Sequence, residues 1–434
     1  MQVAVIGAGW AGCAAAVEAV RLGHRVTVFE AARIPGGRAR RVNLPGQPFA
    51  LDNGQHILIG AYQQTLRLMT DVGLLPERLL LRLPLTLQWP SGDGLALPSW
   101  PAPLDAMAGI ARARGWSWAD KWSLLVHASR WQRAGFACPP LQTVAGLCQR
   151  LAPRVMTSLI EPLCVSALNT PADRASGAVF LRVLGDSLFA GSGGSNLLLP
   201  RVDLSALLPD AALAWVQQSG GVVNTGVRVT ALARSIDGWD VSSGDGQENA
   251  LFDRVILACP PLEAARLAST SGLPATAWLQ RARGLQYEAI ATVYTAAPGV
   301  RLSQPMLALP AAPGAPAQFV FDRGQLDGPP GWLAFVVSAS TDSSAALTPQ
   351  VLQQARTQLG LSALEHLQTI VEKRATFACT PGLLRPGCDV NPGAVAGLLA
   401  CGDYIDGPYP ATLEGAVRSG LQAARLLAGS NDRL

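Results

Sequence analysis

Apolar residues at the start of the chain follow a pattern that predicts a strand, a helix and a second strand. Residues 2–6 are almost wholly apolar, which is typical of a buried strand. Residues 13–22 are mostly small and apolar and predict a helix, and residues 25–29 predict a second strand that ends at Glu30. The first thirty residues therefore predict one strand–turn–helix–strand unit of an α/β fold.

This regular pattern is interrupted twice along the chain. Residues 75–195 are rich in proline, leucine and tryptophan, and residues 262–385 are mixed in character. The other segments carry further predicted elements: a helix over 203–218, strands over 220–223 and 227–232, a buried strand over 253–261 with a proline stop, strand-like runs over 289–294 and 332–337, and a strand, loop and helix in the last fifty residues. We interpret this order as a discontinuous nucleotide-binding domain (1–80, 196–262 and 386–434) with an interleaved α+β substrate-binding domain (81–195 and 263–385).

The turn between the first strand and the helix has the glycine spacing of a dinucleotide site. Gly7, Gly9 and Gly12 form a G-x-G-x-x-G motif, and Glu30 ends the second strand. The first glycine permits the turn, the second lets the backbone approach a pyrophosphate, and the third lets helix and strand pack closely. The helix N-terminus favours phosphate, and Glu30 can accept hydrogen bonds from ribose hydroxyls. The alternative, a purely structural glycine turn, leaves this acid unexplained.

A second signature over residues 34–41 distinguishes flavin from nicotinamide. Its Gly-Gly-Arg run, which includes Gly37 and Arg38, resembles the second motif of the flavin amine oxidase and carotenoid desaturase superfamily. The resemblance implies that Arg38 helps to neutralise the pyrophosphate of FAD. The alternative is a turn followed by a solvated basic edge, which accounts for Arg40 and Arg41 better than for Gly37 and Arg38.

Two C-terminal blocks, residues 398–406 and 410–420, resemble the flavin-closing motif of the same superfamily, most closely its plant-type phytoene desaturase branch. The resemblance implies that Asp403 hydrogen-bonds the ribityl chain or the pyrophosphate of FAD. It also implies that the helix beginning at Leu413 directs its N-terminus at the isoalloxazine O2, where a positive dipole end stabilises negative charge. The alternative is an ordinary strand, loop and helix with a capping threonine at Thr412.

Four further stretches, two of them within the predicted substrate-binding domain, resemble the squalene-associated FAD-dependent desaturases, a family now understood as hydroxysqualene dehydroxylases. They are residues 51–62, 161–171, 196–205 and 287–294. The resemblance runs through nearly the whole chain and implies a Rossmann-type, glutathione-reductase-like FAD-binding domain. The predicted cofactor-binding residues are Gly7, Gly9, Ala11, Gly12, Glu30, Ala31, Gly37, Arg38, Gly54, Gln55, His56, Val229, Gly402, Asp403, Thr412 and Leu413.

The resemblance implies reductive removal of the allylic hydroxyl of hydroxysqualene to give squalene, a step of isoprenoid and hopanoid biosynthesis. Protonation helps the hydroxyl to leave, reduced FAD supplies the hydride, and an apolar cavity keeps water from the allylic cation. A general acid is expected near the flavin N5. His56 is the first candidate, with a hydrogen-bonded structural histidine as the alternative, and Tyr404 and Asp406 are the next candidates.

Other functions and the source of electrons stay open. The chain has one complete dinucleotide fingerprint, because the glycine-rich segment 191–194 follows no clear strand and lacks a later acid, so we expect a separate electron donor. The rival functions are an FAD-dependent polyprene (phytoene-like) desaturase, which works in the opposite redox direction, and a non-catalytic isoprenoid-binding protein that keeps FAD for stability. Amine oxidation is disfavoured, because Lys121 and Lys373 lie in no matching motif and Thr412 replaces an aromatic residue of the amine cage.

The amino-acid composition limits the ligands and the cellular compartment that we expect for this chain. Hydrophobic residues make up 49% of the 434 residues and charged residues 15%, yet no run of about eighteen apolar residues predicts a transmembrane helix. A net charge of +4 does not favour nucleic acid, and the four histidines are too scattered for a metal site. Eight cysteines without a C-x-x-C pair predict reduced thiols and a cytoplasmic protein.

Tryptophans are concentrated in one part of the chain. Six of the eleven lie between residues 89 and 131, among basic residues that include Arg112 and Lys121. Aromatic and basic residues together suit a membrane interface, which would place the protein peripherally at the inner membrane face. The alternative is that the tryptophans line a substrate tunnel or pack in a core, and the sequence leaves both interpretations open.

Overall fold

A computed structural model describes residues 1–46, 49–101, 103–188, 193–244, 250–340, 342–392 and 397–428. These residues form a parallel five-stranded sheet, an antiparallel five-stranded sheet, several smaller sheets and a largely helical region over residues 104–188. Within these ranges, no helix combines the length and apolar character that a transmembrane span needs.

The strands are numbered in chain order. They are β1 (Gln2–Ile6), β2 (Arg25–Glu30), β3 (Arg41–Asn43), β4 (Ala50–Asp52), β5 (Leu58–Ile59), β6 (Leu80–Leu83), β7 (Thr86–Gln88), β8 (Gly94–Ala96), β9 (Leu197–Pro200), β10 (Val222–Thr225), β11 (Val229–Arg234), β12 (Trp239–Ser243), β13 (Ala250–Phe252), β14 (Arg254–Leu257), β15 (Tyr287–Ala296), β16 (Met306–Ala308), β17 (Phe319–Asp322), β18 (Trp332–Ser338), β19 (Glu365–Phe377) and β20 (Leu398–Ala400).

The α-helices are numbered in the same way. They are α1 (Trp10–Arg21), α2 (Gln63–Asp71), α3 (Pro76–Leu79), α4 (Leu104–Arg112), α5 (Trp118–Arg133), α6 (Val144–Leu147), α7 (Pro153–Val155), α8 (Glu161–Leu168), α9 (Gly177–Leu188), α10 (Leu204–Leu207), α11 (Pro209–Gln218), α12 (Pro261–Thr270), α13 (Thr276–Arg283), α14 (Ser344–Leu359) and α15 (Leu413–Ala428). A π-helical turn (Met156–Ile160) joins α7 to α8, and a 3₁₀ turn (Arg323–Gln325) follows β17.

The parallel sheet has the strand order β10-β2-β1-β14-β20, with β1 at its centre. Residues 3–5 of β1 are fully buried, as expected for a strand covered on both faces. Helix α1 packs against α15, and a Cβ atom on Gly420 would lie 2.2 Å from the carbonyl oxygen of Ala11. Small residues therefore let the first and last helices approach closely beside the sheet, and the predicted elements of the first thirty residues are confirmed.

Two sequence predictions in the second half of the nucleotide-binding segments are wrong in detail. The helix predicted over 203–218 is two helices, α10 and α11, because Pro209 has no N–H to continue a helix through Leu208. Asp203 lies outside α10 and caps it by accepting hydrogen bonds from the amides of Ser205 and Ala206. The strand predicted over 253–261 is also shorter than expected, because β14 ends at Leu257. Pro261 is instead the first residue of α12, where its fixed φ suits a helix start.

The antiparallel sheet has the order β16-β17-β18-β15-β19 and is built from residues 287–377. The parallel sheet takes its strands from residues 2–30, 222–225, 254–257 and 398–400. The two large sheets are thus drawn from different segments of the chain, while the domain boundaries given above stay a prediction. All eight cysteines are free, and six of them are buried.

Candidate cofactor site

The turn after β1 depends on contacts that only glycine tolerates. Gly7 has a φ of 116°, and a Cβ atom there would lie 2.5 Å from the carbonyl oxygen of Ala258. A Cβ atom on Gly12 would lie 1.9 Å from the carbonyl oxygen of Gly7. A Cβ atom on Gly9 would instead have the Cα of Gly37, 3.8 Å away, as its nearest neighbour. Gly7 and Gly12 are therefore required by the turn itself, whereas Gly9 leaves open space at the start of α1.

The two glycine signatures lie side by side. The amide of Gly36 donates to the carbonyl of Ala8 at 2.9 Å, and a Cβ atom on Gly37 would lie 3.3 Å from the Cα of Gly9. Helix α1 has no acidic residue in its first turn, and its first helical hydrogen bond runs from the Cys13 amide to the Gly9 carbonyl. The amides that precede this bond suit an anionic group such as a pyrophosphate.

The carboxylate of Glu30 is held against these turns by backbone amides. One oxygen accepts from the amide of Ala8 at 2.7 Å, and the other accepts from the amide of Ala32 at 2.7 Å. The Glu30 carbonyl also accepts from the amide of Val227, two residues before the buried Val229 of β11. The predicted ribose acid therefore lies next to the first glycine turn, and Val229 follows two residues after the contact between Val227 and Glu30.

Arg38 and Asp403 form an ion pair across a sequence separation of 365 residues. Both guanidinium NH groups of Arg38 donate to the carboxylate, and the Arg38 side chain also donates to the carbonyl of Ala375 at 2.8 Å. The Asp403 side chain is 8% exposed and the Arg38 side chain 34% exposed. The backbone before Asp403 is fixed as well, because the Gly402 amide donates to the hydroxyl of Ser419 in α15. The second and third sequence motifs thus meet directly.

A buried polar cluster lies beside the predicted flavin residues and was missed by sequence reasoning. Asp52 is 1% exposed, accepts from the amide of Leu204 at 2.8 Å and lies 3.6 Å from a guanidinium nitrogen of Arg323. Arg323 also donates to the side-chain oxygen of Gln55 at 3.2 Å. Burial raises the pKa of Asp52 to about 6, although Arg323 and the Leu204 amide act to lower it. Tyr294 completes the cluster by donating to the Asp52 carbonyl at 2.9 Å.

Gln55 and His56 present polar atoms that the described residues leave free. The side-chain nitrogen of Gln55 is buried and has no hydrogen-bond partner among the described residues, so it can donate to an acceptor on a bound group. The Nδ1 of His56 lies 3.1 Å from the carbonyl of Gly54 and donates to it, which leaves Nε2 as the atom that gains or loses a proton. Burial lowers the pKa of His56 below its usual 6.5, and the charge of Arg38 acts in the same direction.

The other two candidate acids lie in contrasting surroundings. Tyr404 is 1% exposed, and its hydroxyl is buried without a partner among the described residues. Burial raises the pKa of Tyr404 well above 10, with further contributions from the nearby Cys259 and Cys401. The side chain of Asp406 is 73% exposed and pairs with Arg385 at 3.3 Å. Neither side chain forms a hydrogen bond or ion pair with His56, Arg38 or Asp403 in the described part of the chain.

The N-terminus of α15 is capped, and it is tied to α2. The hydroxyl of Thr412 accepts from the amide of Gly415 at 3.0 Å, so Thr412 is the predicted capping residue immediately before Leu413. Glu414 is fully buried and accepts from the amide and the hydroxyl of Thr65 at 2.9 and 2.7 Å. A carboxylate of the last helix therefore caps α2, which no sequence motif indicated.

Most of the predicted cofactor residues come together in two groups. The first surrounds the glycine turns, with the buried Ala11 in α1 and the exposed Ala31 after β2, and the second surrounds the Arg38–Asp403 pair. An open cradle at Gly9, amides at a helix start and an unpartnered buried nitrogen on Gln55 fit a dinucleotide carrying a ring system. Asp406 pairs with Arg385 and with no predicted cofactor residue among the described residues. The individual residue assignments stay predictions.

Comparison with known proteins agrees with this geometry. Residues 10–428 match the family of flavin containing amine oxidoreductases. The chain is 30% identical to hydroxysqualene dehydroxylase from Rhodopseudomonas palustris over 98% of both chains. It is 41% identical to hydroxyneurosporene desaturase from Rhodobacter capsulatus over only 22% of this chain and 20% of the desaturase. The solved structure of an oxidoreductase from Methanosarcina mazei has a TM-score of 0.73 at 18% identity and covers 98% of this chain and 100% of its own.

These likenesses confirm the predicted fold class, a Rossmann-type FAD-binding fold with an interleaved second region. They also confirm FAD as the cofactor and an oxidoreductase as the class of enzyme. The desaturase likeness is confined to a short part of the chain, whereas the dehydroxylase likeness spans nearly all of it. The chain belongs to the flavin containing amine oxidoreductases and, within them, to the hydroxysqualene dehydroxylase family.

Proposed function

We propose that this chain reductively removes the hydroxyl group of hydroxysqualene and releases squalene and water. The observation that carries this proposal is the likeness to a hydroxysqualene dehydroxylase over 98% of both chains, which includes the segments outside the nucleotide-binding motifs. Reduced FAD, when bound, supplies the hydride. One proton is also consumed, because the hydroxyl leaves as water.

The protein's own contribution to this step is to supply the proton and to exclude water. His56 is the proposed proton donor, because its Nε2 has no partner among the described residues while Nδ1 is fixed by the Gly54 carbonyl. Its lowered pKa means that the neutral form predominates at neutral pH, and that the protonated form is a stronger acid than an ordinary imidazolium. Asp406 is too exposed to act in a water-free site.

Replacing His56 by alanine is expected to slow dehydroxylation by roughly a hundredfold or more, the usual contribution of a general acid. The measurement is the single-turnover rate of squalene formation by the dithionite-reduced enzyme without oxygen, at several pH values. The wild-type rate should fall as the pH rises through the lowered pKa of His56, and this dependence should vanish in His56→Ala. Asp406→Asn is the matched control and should keep the wild-type rate. Substantial turnover by His56→Ala with FAD still bound would remove His56 as the acid.

The proposed reaction is tested against its rivals in one anaerobic experiment. Reduced enzyme is given hydroxysqualene, oxidised enzyme is given phytoene, and the products are identified by mass. Squalene from the first mixture alone supports dehydroxylation, and a desaturated product from the second supports a polyprene desaturase. If neither hydroxysqualene nor phytoene is consumed, the result favours a non-catalytic isoprenoid-binding protein.

The electrons are proposed to come from a separate donor. The sequence carries one complete dinucleotide fingerprint, and Gly191 and Ser192 of the second glycine-rich segment lie outside the described residues. Anaerobic mixing of the oxidised holoenzyme with NADPH should therefore bleach the flavin absorbance more slowly than the enzyme turns over. Flavin reduction by NADPH alone at the turnover rate or faster would contradict a separate donor.

We also propose that the protein binds peripherally to a membrane from the cytoplasm. Five large apolar side chains between residues 100 and 122 are 47–78% exposed: Trp100, Leu104, Met107, Trp118 and Trp122. Two cationic side chains lie over tryptophan rings of this group. The Arg112 guanidinium is 5.1 Å from the centroid of the Trp100 ring, and the Lys121 nitrogen is 5.0 Å from the centroid of the Trp118 ring. Lys121 also donates to the carbonyl of Ala111, which ties the start of α5 to the end of α4.

Among the six tryptophans between residues 89 and 131, some are buried in the core and others are exposed, so each interpretation offered by the sequence fits part of the group. Trp116 and Trp131 are 8% and 7% exposed and belong to the core, while Trp118 and Trp122 point outward one helical turn apart. Exposed tryptophans beside lysine and arginine have the composition of a membrane-interface segment with a preference for anionic lipids. We therefore assign only the outward members of the cluster to membrane contact.

Replacing Trp118 and Trp122 together by alanine is expected to weaken vesicle binding by roughly tenfold or more, from the apolar area that the two rings would bury. The measurement is co-sedimentation with vesicles of phosphatidylglycerol, with phosphatidylcholine vesicles for comparison. Ile236→Ala is the matched control, because Ile236 is 98% exposed elsewhere on the surface. Wild-type protein that fails to sediment with phosphatidylglycerol vesicles would overturn the membrane proposal.

A further inference from the structure

A cavity of about 520 Å³ lies outside the residues assigned to FAD or to catalysis. It is a partly open cavity between α2, α3, β6 and β9, and its volume is in the range of small-molecule sites. Its apolar floor is formed by the partly exposed Leu66 and Leu81, which lie over the buried Leu80 and Leu198. The floor can therefore take a hydrocarbon group out of water.

Three arginines from three different elements face this cavity. Arg67 comes from α2, Arg82 from β6, and Arg201 follows β9, whereas Glu77 is the one acidic residue of the lining. Two of these arginines also lie near an aspartate, because Arg67 is 3.9 Å from Asp71 and Arg201 is 3.6 Å from Asp327. Arg82 has no such neighbour among the described residues, so its charge is available to an anion with a hydrocarbon part.

The hydrogen-bonding capacity of these arginines is largely unused. The side chain of Arg82 has no ion-pair or hydrogen-bond partner among the described residues, whereas its backbone pairs with Leu198 in β9. The Nε of Arg201 is buried without a partner in the same ranges, and the Nη1 of Arg201 lies 3.6 Å from the Oδ2 of Asp327, beyond hydrogen-bond distance. Arg67 lies 3.9 Å from Asp71. Guanidinium groups with free donors on separate walls match a tetrahedral phosphate better than a planar carboxylate.

We propose that this cavity is a binding site for an amphiphilic phosphate, a molecule that carries a phosphate head and a hydrocarbon part. The head is bound by Arg82 and Arg201, and the hydrocarbon part lies on the leucine floor. Two sources share this chemistry, the headgroup region of an acidic phospholipid and a free organic phosphate monoester. The site is separate from the proposed dehydroxylation and does not depend on it.

The test is calorimetric titration of the full-length, FAD-loaded protein with octyl phosphate. Saturable binding is expected, and Arg82→Gln or Arg201→Gln should each weaken it by roughly tenfold or more, the loss associated with one charge-assisted hydrogen bond. The matched control is Arg78→Gln, because Arg78 is exposed on α3 and does not line the cavity. The control should bind octyl phosphate as the wild type does.

The remaining titrations separate the parts of the ligand and its source. Octanol and inorganic phosphate should each bind much more weakly than octyl phosphate; equal binding of either would overturn the amphiphilic assignment. Displacement of octyl phosphate by monomeric dihexanoylphosphatidylglycerol, but not by the phosphatidylcholine analogue, identifies an acidic lipid, whereas displacement by monoesters alone identifies a free organic phosphate. The proposal is overturned if the wild type shows no saturable binding, or if both arginine variants bind with wild-type affinity. Melting temperatures of the variants within a degree or so of the wild type would show that the fold is intact.

Discussion

Alanine at Gly9 is expected to prevent tight FAD binding while it leaves the fold unchanged. A Cβ atom at this position has ordinary contact distance to its nearest neighbour, Gly37, but fills the space in front of the α1 amides. Gly9 also has a φ of −74°, which alanine adopts without strain. We expect FAD affinity to fall by roughly a hundredfold, the loss of about two charge-assisted hydrogen bonds between amides and the pyrophosphate.

Alanine at Gly12 provides the contrast, because there the added Cβ atom collides with the protein. The carbonyl oxygen of Gly7 would lie 1.9 Å away, so the turn must shift. Gly12→Ala should therefore lose both FAD and stability, by about 1–3 kcal/mol as for other overpacked sites. FAD affinity is measured by flavin fluorescence on titration of the apoprotein, and stability is measured by the melting temperature of the apoprotein.

Gly387→Ala is the neutral control for both variants, since nothing lies within 4 Å of its added Cβ atom. The distinguishing result is a normal apoprotein melting temperature for Gly9→Ala and a lowered one for Gly12→Ala. If Gly9→Ala binds FAD as tightly as the wild type, the pyrophosphate does not lie at the start of α1.

Alanine at Arg38 is expected to have the second largest effect, also on FAD affinity. The change removes the positive charge proposed to face the pyrophosphate, and it leaves Asp403, which is 8% exposed, without its partner. We expect FAD affinity to fall by roughly a hundredfold. The unfolding free energy should fall by less than the 3–5 kcal/mol typical of a broken buried ion pair, since the Arg38 side chain is 34% exposed.

The matched control for Arg38→Ala is Arg40→Ala. Arg40 belongs to the same segment, but its side chain donates to the nearby carbonyl of Gly37 and pairs with no carboxylate in the described part of the chain. Arg40→Ala should keep FAD affinity within about threefold, because the net charge change is the same but the contact is absent. Equal losses in the two variants would mean that Arg38 acts only through overall charge.

A further variant, Asp403→Asn, separates the role of Asp403 from that of Arg38. Asparagine keeps the shape and one accepting oxygen, so Arg38 remains in place while the negative charge is removed. A smaller loss of FAD affinity than in Arg38→Ala is expected if Asp403 chiefly positions Arg38. A larger loss would indicate that Asp403 itself hydrogen-bonds the cofactor, as the sequence resemblance implies.

Local features of this protein were legible in the sequence because their causes are local. The strand, helix and second strand of residues 2–30 follow from short-range apolar patterns, and the contacts at Gly7 and Gly12 explain why glycine stands at these two positions. Pro209 is a local signal for a helix break, but the amphipathic pattern on both sides of it led to the prediction of one continuous helix over 203–218.

Features that depend on distant pairings could not be inferred in this way. Asp52 lies in a stretch that the sequence singled out, but its partner Arg323 comes from a turn 271 residues later. The cap that Glu414 places on α2 joins residues 349 positions apart. Which tryptophans face outward was equally undecided, because burial depends on what the rest of the chain packs against them.

The sequence by itself determined the cofactor class, the start of the nucleotide-binding fold and the family. Glycine spacing, an acid at a strand end and family motifs are properties of short segments, so they can be recognised without knowledge of the fold. Only the tertiary structure decided that Arg38 meets Asp403, that Asp52 and Arg323 are buried together beside Gln55, and that three arginines share one cavity. The two ion pairs join segments hundreds of residues apart, and the three arginines come from separate elements, so no local pattern encodes which partner a side chain will meet.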